Sequence, residues 1–71
     1  MNRFAPGKLR LSKWTACQPR NREKHFMVID LQHDELGVLV QVELQAVHSG
    51  RSEWIDWRAL RDDSAWKLGW Q

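Results

Sequence analysis

The side chains in this 71-residue chain that could perform chemistry are three histidines and one cysteine. Imidazole nitrogens and a thiolate are the ligands that zinc prefers, and a cysteine beside a histidine is a nucleophilic pair. His25 and His33 lie on one predicted strand, where eight residues at about 3.3 Å each separate them by roughly 26 Å. They cannot share a metal ion. His25, His48 and Cys17 could meet only at one end of the fold, so we expect no metal site.

The remaining polar residues give little support to catalysis. The carboxylate pairs Asp34-Glu35 and Asp62-Asp63 occupy predicted turns, where Asp shapes loops and caps helices. The four glycines stand singly, so no glycine-rich phosphate loop is present. A core this small is also expected to leave no room for a concave pocket of about 300 Å³ or more. We therefore predict a protein that is not an enzyme and has no cofactor.

The length of the chain allows one small domain. Pro6-Gly7 is expected to end a flexible arm of residues 1–7, and residues 8–71 to form a single small β-barrel-like domain. Cys17 has no partner for a disulfide, and no run of about 20 apolar residues is present. The N-terminal residues also lack the apolar segment of a signal peptide. We expect a cytoplasmic protein without a membrane role, and a monomer.

The charges are divided unequally along the chain. Residues 1–25 contain seven basic side chains and one acidic one, a net charge of +6, whereas residues 26–71 have a net charge of −4. A basic region of this kind favours an anionic partner. The alternative is that these side chains simply face solvent. The basic residues are Arg3, Lys8, Arg10, Lys13, Arg20, Arg22 and Lys24.

Alternation of apolar and polar residues predicts four strands joined by short loops. The loops carry turn residues, notably Pro19 and the pair Ser49-Gly50. The predicted strands are 9–17, 25–33, 38–48 and 51–57, with a hairpin loop at 34–37.

The register of the central hairpin is predicted from its two apolar faces. Closing the loop over 34–37 places residue 29 opposite 42 and residue 27 opposite 44, which puts Ile29 and Val42 on the core face. Phe26 then lies on the opposite face. The next turn places Gln45 opposite Trp54, so Phe26, Gln45 and Trp54 form one row on the face away from the core.

The last third of the chain contains four of the five tryptophans. Trp57 is assigned to the core, and residues 58–61 suit one turn of helix or 3₁₀ helix. Asp63 or Ser64 can cap a second short turn that carries Trp66. An alternative makes residues 52–62 a helix. The predicted fold is mainly β: a small antiparallel, strongly bent sheet or SH3-like barrel of three to five strands, with a short helical turn near the C-terminus.

Three segments of the sequence are similar to a known family. The segments are KWTACQPRNREKHFMVIDL, the W-x-x-L-R-D of residues 57–62 and the W-x-x-G-W of residues 66–70. Together they resemble a family of small tryptophan-rich proteins of bacteria and cyanobacteria, described as a domain of unknown function. The resemblance covers roughly residues 6–70. It implies no activity and no functional residues.

Two binding functions remain from the residues themselves. Small β proteins bind single-stranded nucleic acid by stacking bases on exposed rings and attracting the phosphates with basic loops. Aromatic rings can equally bind a protein or peptide, as in SH3 domains, or a second copy of the chain. A competing structural interpretation is that Trp66 and Trp70 cover the aromatic row and form a second small core. The predicted binding residues are Lys13, Trp14, Arg20, Arg22, Lys24, Phe26 and Trp54.

Overall fold

A single antiparallel sheet of five strands forms the body of the protein, in the order β4-β3-β2-β1-β5. The computed structural model describes residues 1–71. The mainly β class is confirmed. Of the two forms predicted for it, the sheet is the open one, because β4 and β5 are edges that do not pair with each other. The strands are β1 (Lys13–Arg20), β2 (Glu23–His33), β3 (Leu39–Ala46), β4 (Ser52–Asp56) and β5 (Trp66–Leu68), and the 3₁₀ helices are Pro6–Lys8 and Trp57–Arg61.

The first hairpin is tighter than the sequence predicts. β1 continues through Pro19 to Arg20, which pairs with Glu23 across a two-residue turn. The turn residues Asn21 and Arg22 have φ angles of 55° and 61°. Positive φ at both positions is the requirement of a type I′ turn, whose twist matches that of the strands. The predicted start of this strand at residue 9 is wrong, because Leu9 belongs to a turn in which its carbonyl accepts from Ser12.

A β-bulge in β2 changes the predicted register of the central hairpin. Val28 pairs with Leu44 and Asp30 pairs with Glu43, which leaves Ile29 as the extra residue. Before the bulge the core face of β2 carries Phe26 and Val28, and Phe26 is therefore not on the outer face as predicted. The bulge reverses the alternation. Beyond it Leu31 lies opposite Val42 and packs against the core.

The next turn is longer than predicted, and this separates the aromatic row. The β3–β4 hairpin places Gln45 opposite Ser52 and Glu43 opposite Trp54. The pairing of β4 with β3 is shifted by two residues from the prediction. Each side chain of β4 therefore stays on its predicted face but lies opposite a different residue of β3. Trp54 still lies on the face away from the core, but its neighbour is a carboxylate.

The C-terminal third is a 3₁₀ helix followed by a strand. The predicted turn at residues 58–61 is confirmed, and the Asp56 carboxylate caps it by accepting from the Arg58 amide at 2.9 Å. The alternative helix over 52–62 is wrong, because residues 52–56 pair with β3. The second predicted turn is present at residues 63–65, but Trp66 and Leu68 lie in a strand rather than on the turn. Asp62 ends the first helix with a tight turn, and Trp66 then pairs with Ala16 of β1 as part of β5.

The core lies on one face of the sheet, beneath the N-terminal segment and the second 3₁₀ helix. Trp14 lies at its centre, in edge-to-face contact with Phe4 at 5.5 Å between ring centroids. The predicted mobility of residues 1–7 stays a prediction, while Asn2 and Phe4 of that segment contact the domain. No helix is of a length and apolarity that would let it span a membrane. The buried apolar residues are Leu9, Trp14, Phe26, Val28, Val42, Leu44, Ala46 and Leu60.

Candidate nucleic-acid interface

The three rings predicted to bind a partner do not form one surface. Trp14 is 0% exposed and Phe26 is 5% exposed, so neither ring can receive a base or a peptide. The reason is the register of β1 and β2, which pairs Trp14 with Phe26 on the core face. Trp54 is 45% exposed, but it lies two strands away beside Glu43. The prediction of a shared aromatic platform is wrong for Trp14 and Phe26.

Trp70 is the exposed ring that the basic residues surround. Its indole N–H donates to the Phe26 carbonyl at 2.9 Å, which fixes the ring against β2. The Lys13 ammonium lies 4.8 Å from the ring centroid, and the centroids of the His25 and Trp70 rings are 6.0 Å apart. Trp70 remains 40% exposed. Gly69 makes this position accessible, because its φ of 80° lets the chain turn out of β5 onto the outer face.

The end of the first hairpin extends this basic region. Arg22, Lys24, His25 and His48 line an open depression of about 350 Å³ that has no acidic side chain in its lining. His25 also neighbours Trp70, so the depression and the ring are continuous. Arg20, the fourth predicted cation, lines a groove on the other side of the hairpin. We use the name basic surface for Lys13, Arg22, Lys24, His25, His48 and Trp70.

Glu23 does not neutralise these cations, although it lies among them in the sequence. Its carboxylate is 4% exposed and forms a bidentate pair with Arg51, with the Arg51 Nη2 donating to Oε1 at 2.6 Å and Nε to Oε2 at 3.0 Å. Ser49 donates a further hydrogen bond. These hydrogen bonds, that of Arg51 above all, hold the pKa of Glu23 below its usual value. Glu23 therefore stays ionised, with its charge satisfied by Arg51.

The basic side chains of residues 1–25 are all exposed and none is in an ion pair. The four ion pairs of the protein use other cations: the N-terminal amine with Asp63, Arg51 with two glutamates, and Arg58 with Asp56. Unpaired, solvated cations keep their full charge for an external anion. The seven cations of the basic first third are therefore free to attract an external anion.

An open groove lies on the opposite side of the hairpin. It has a volume of about 480 Å³, with Phe26 and Trp66 on one wall and the Glu23–Arg51 pair on another. The two rings meet edge to face at 5.2 Å. The expectation that the fold leaves no concave pocket above about 300 Å³ is wrong, because the first hairpin, residues 64–66 and residues 51 and 53 enclose this groove between them.

The potential metal ligands and nucleophiles are distributed over the fold. His25 and His48 share the depression beside the hairpin, whereas His33 lies at the far end of β2. The Cys17 thiol has the Asp63 carbonyl as its hydrogen-bond partner at 3.7 Å, rather than a histidine. No three His, Cys, Asp or Glu side chains are grouped as a metal site would require.

Sequence reasoning missed Trp70, His25 and His48 as members of the basic surface, and it missed Arg51 as the partner of Glu23. The sequence leaves open whether the tail that carries Trp70 covers the aromatic row, and only the turn at Gly69 shows that Trp70 crosses to the outer face. Arg51 was not recognised as the partner of Glu23, since the two lie 28 residues apart. The signal for the second was available: Glu23 is the single carboxylate among the first 25 residues, and Arg51 follows the turn that brings β4 to β3.

These features define a class of small, open-sheet β proteins with a buried tryptophan core and an unpaired basic surface. The model of a tryptophan-rich protein family, DUF2389, matches residues 12–71. The chain belongs to this family, and the resemblance seen in the sequence is confirmed. No curated protein and no solved structure matches the chain.

Proposed function

We propose that this protein is a non-catalytic, cytoplasmic binding protein for single-stranded nucleic acid, which it contacts through the basic surface. The observation that carries the proposal is the lack of any ion pair among the seven exposed basic residues of the first 25. Glu23, the carboxylate that could have weakened their field, is held by Arg51 instead. A polyanion is the partner that such a surface attracts most strongly.

The arrangement favours a single strand over a duplex. Trp70 is exposed and fixed by its hydrogen bond to Phe26, so it can stack on an unpaired base without first becoming ordered. Arg22 and Lys24 lie beyond His25, where they can contact the phosphates that follow. Stacking on a ring requires a base that is not enclosed in a duplex. Trp54 takes no part in this interface, because its row carries Asp30 and Glu43, which repel phosphate.

Charge-matched variants test the proposal directly. The probe is an oligothymidylate of about 12 nucleotides, within the usual site size of small single-strand binding domains. Replacing Lys13, Arg22 and Lys24 together by Ala should weaken binding at least about tenfold at low salt, since three phosphate contacts are lost. The control variant replaces Arg3, Lys8 and Arg10 by Ala, which removes the same charge elsewhere on the exposed surface.

The two triple variants must differ if the proposal is correct. Equal loss in both would mean attraction by net charge alone, without an interface at the basic surface. Trp70→Ala should weaken binding further by about 1–3 kcal/mol, the value of one base stacked on an aromatic ring. Circular dichroism of each variant verifies that the fold is retained. Wild-type protein that fails to bind the oligonucleotide at low salt would overturn the proposal.

A further inference from the structure

Strand β4 is an edge of the sheet with unpaired backbone groups. It pairs with β3 on one side and with nothing on the other. The Ala46 amide donates to the Arg51 carbonyl at 2.8 Å, which fixes the phase of this antiparallel ladder. Hydrogen-bonded positions alternate along such a ladder, so residues 53 and 55 also face β3. The backbone N–H and C=O groups of Ser52 and Trp54 and the N–H of Asp56 consequently point away from the sheet, while the Asp56 C=O belongs to the N-cap of the following 3₁₀ helix.

The other edge of the sheet is covered. β5 has only three residues. Hydrogen-bonded positions alternate along its pairing with β1 as well, and the Trp66 carbonyl points away from β1. Asn2 of the N-terminal segment donates its side-chain amide to that carbonyl at 2.7 Å and to the Leu60 carbonyl at 2.9 Å. No segment of the chain does this for β4. The protein thus protects one edge and leaves the other open to strand addition.

The open edge has its own chemistry, distinct from that of the basic surface. Trp54 is exposed at 45%, and the residues beside it in the same cross-strand row are Glu43 and then Asp30. Neither carboxylate has a basic partner, because Glu43 accepts from the Ser52 hydroxyl and Asp30 from the Leu31 amide. An aromatic ring beside free carboxylates suits a cationic side chain, which can lie over the ring and pair with an acid.

We propose that β4 binds an extended polypeptide segment with Lys or Arg at alternate positions, which adds to the sheet as a sixth strand. Its backbone would pair with residues 52, 54 and 56. Directly opposed side chains of a ladder share one face, so the basic side chains of the segment would lie on the face of Trp54 and Glu43. A second copy of this chain fits less well, because its own β4 brings the same acidic row to the same edge. This interface is independent of the proposed nucleic-acid binding.

The peptide acetyl-KVKVK-amide is a direct probe. In the proposed pairing its lysine N–H groups point at β4 and its valine N–H groups point away. N-methylation of the central lysine should therefore raise the Kd at least about tenfold, the loss expected for a removed hydrogen bond and the clash that replaces it. N-methylation of a valine is the matched control and should change the Kd little. Amide hydrogen exchange should slow at Ser52, Trp54 and Asp56 when the peptide binds.

Variants of the outer row complete the test. Glu43→Gln should weaken the peptide several-fold, whereas Glu35→Gln, an exposed change in the β2–β3 loop, should not. Equal effects of lysine and valine methylation would show a charge contact without strand addition and would overturn the proposal. So would the absence of binding. In the peptide-free protein, amide exchange at residues 52, 54 and 56 could become slower as the protein concentration rises. That result would assign the edge to a second copy of the chain and would also overturn the proposal.

Discussion

At the scale of single residues, the five tryptophans have different tasks. Trp14 is fully buried, and its indole N–H donates to the Ser12 hydroxyl at 2.8 Å, so a large ring is enclosed without an unsatisfied donor. Trp66 and Trp57 pack against the edge of the core. Trp54 and Trp70 remain exposed on the outer face, Trp54 beside the acidic Glu43 and Trp70 beside the basic Lys13. The number of tryptophans therefore says little about a binding surface, because the strand register decides which rings are buried and which are exposed.

Replacing Trp14 and Trp54 by Ala separately distinguishes core from surface. Trp14→Ala should lower the free energy of unfolding by about 3–5 kcal/mol, through lost burial and the cavity that remains. For a domain of this size that loss is close to the whole stability. Trp54→Ala should stay within about 1 kcal/mol of wild type. Urea denaturation followed by circular dichroism measures both, and a larger loss for Trp54 than for Trp14 would contradict the described core.

The buried Glu23 carboxylate, paired with the exposed Arg51 guanidinium, predicts an acid-sensitive contribution to stability. The pKa of Glu23 is lower in the folded protein than in the unfolded chain, mainly because Arg51 donates hydrogen bonds to it. The stabilisation by Glu23 is therefore fully present at pH values above the pKa of the unfolded chain, near 4.5. It is lost as the pH falls through the lower pKa of the folded protein. Glu23→Gln should reduce stability at neutral pH and flatten its decline below about pH 5.

The control for this prediction is Glu35→Gln, because Glu35 is exposed in the hairpin loop. The measurement is the free energy of unfolding at a series of pH values between neutral and about 3, for wild type and both variants. A decline in Glu23→Gln as steep as in wild type would show that other carboxylates cause the acid sensitivity.

At the scale of elements, four of the five strands follow from the sequence, while β5 and the registers of the strands do not. Alternation identifies β2, β3 and β4 because each has one apolar face. Alternation assumes an unbroken strand, and the extra residue at Ile29 breaks it, which moves Phe26 from the outer face to the core. β5 has three residues, too few for a periodic pattern, and its pairing with β1 depends on contacts distant in sequence.

The turn of the first hairpin holds Arg22, a residue of the basic surface, in an unfavourable backbone conformation. Arg22 adopts a left-handed φ of 61°, which costs a residue with a Cβ about 1–2 kcal/mol, and the preferred type I′ pair is Asn-Gly. Arg22→Gly should therefore raise the free energy of unfolding by about 0.5–1 kcal/mol, after the greater entropy of glycine in the unfolded chain is subtracted.

The same variant should weaken nucleic-acid binding, because the guanidinium is lost while the turn is kept. Thermal unfolding measures the first effect, and titration with the oligothymidylate measures the second. The matched control is Lys24→Gly, which also removes a positive charge but lies within β2 and should be destabilising. An Arg22→Gly variant that is less stable than wild type would contradict the described turn.

At the scale of the whole molecule, the separation of charge is the feature that connects sequence to function. The sequence predicts a basic first third, and Lys13, Arg22 and Lys24 of the predicted site do lie on one continuous surface. The aromatic part of the site could not be predicted, because the ring in that surface is Trp70 rather than Phe26 or Trp54. The acidic remainder of the chain supplies the open edge at β4, on another part of the same sheet.

The salt dependence of oligonucleotide binding tests the central proposal most directly. If Lys13, Arg22 and Lys24 contact three phosphates, a plot of log affinity against log salt concentration should have a slope of about −2 for a single strand. Replacing Lys13, Arg22 and Lys24 by Ala should bring the slope close to zero. A wild-type slope near zero, or a slope that the triple variant leaves unchanged, would contradict binding of nucleic acid at the basic surface.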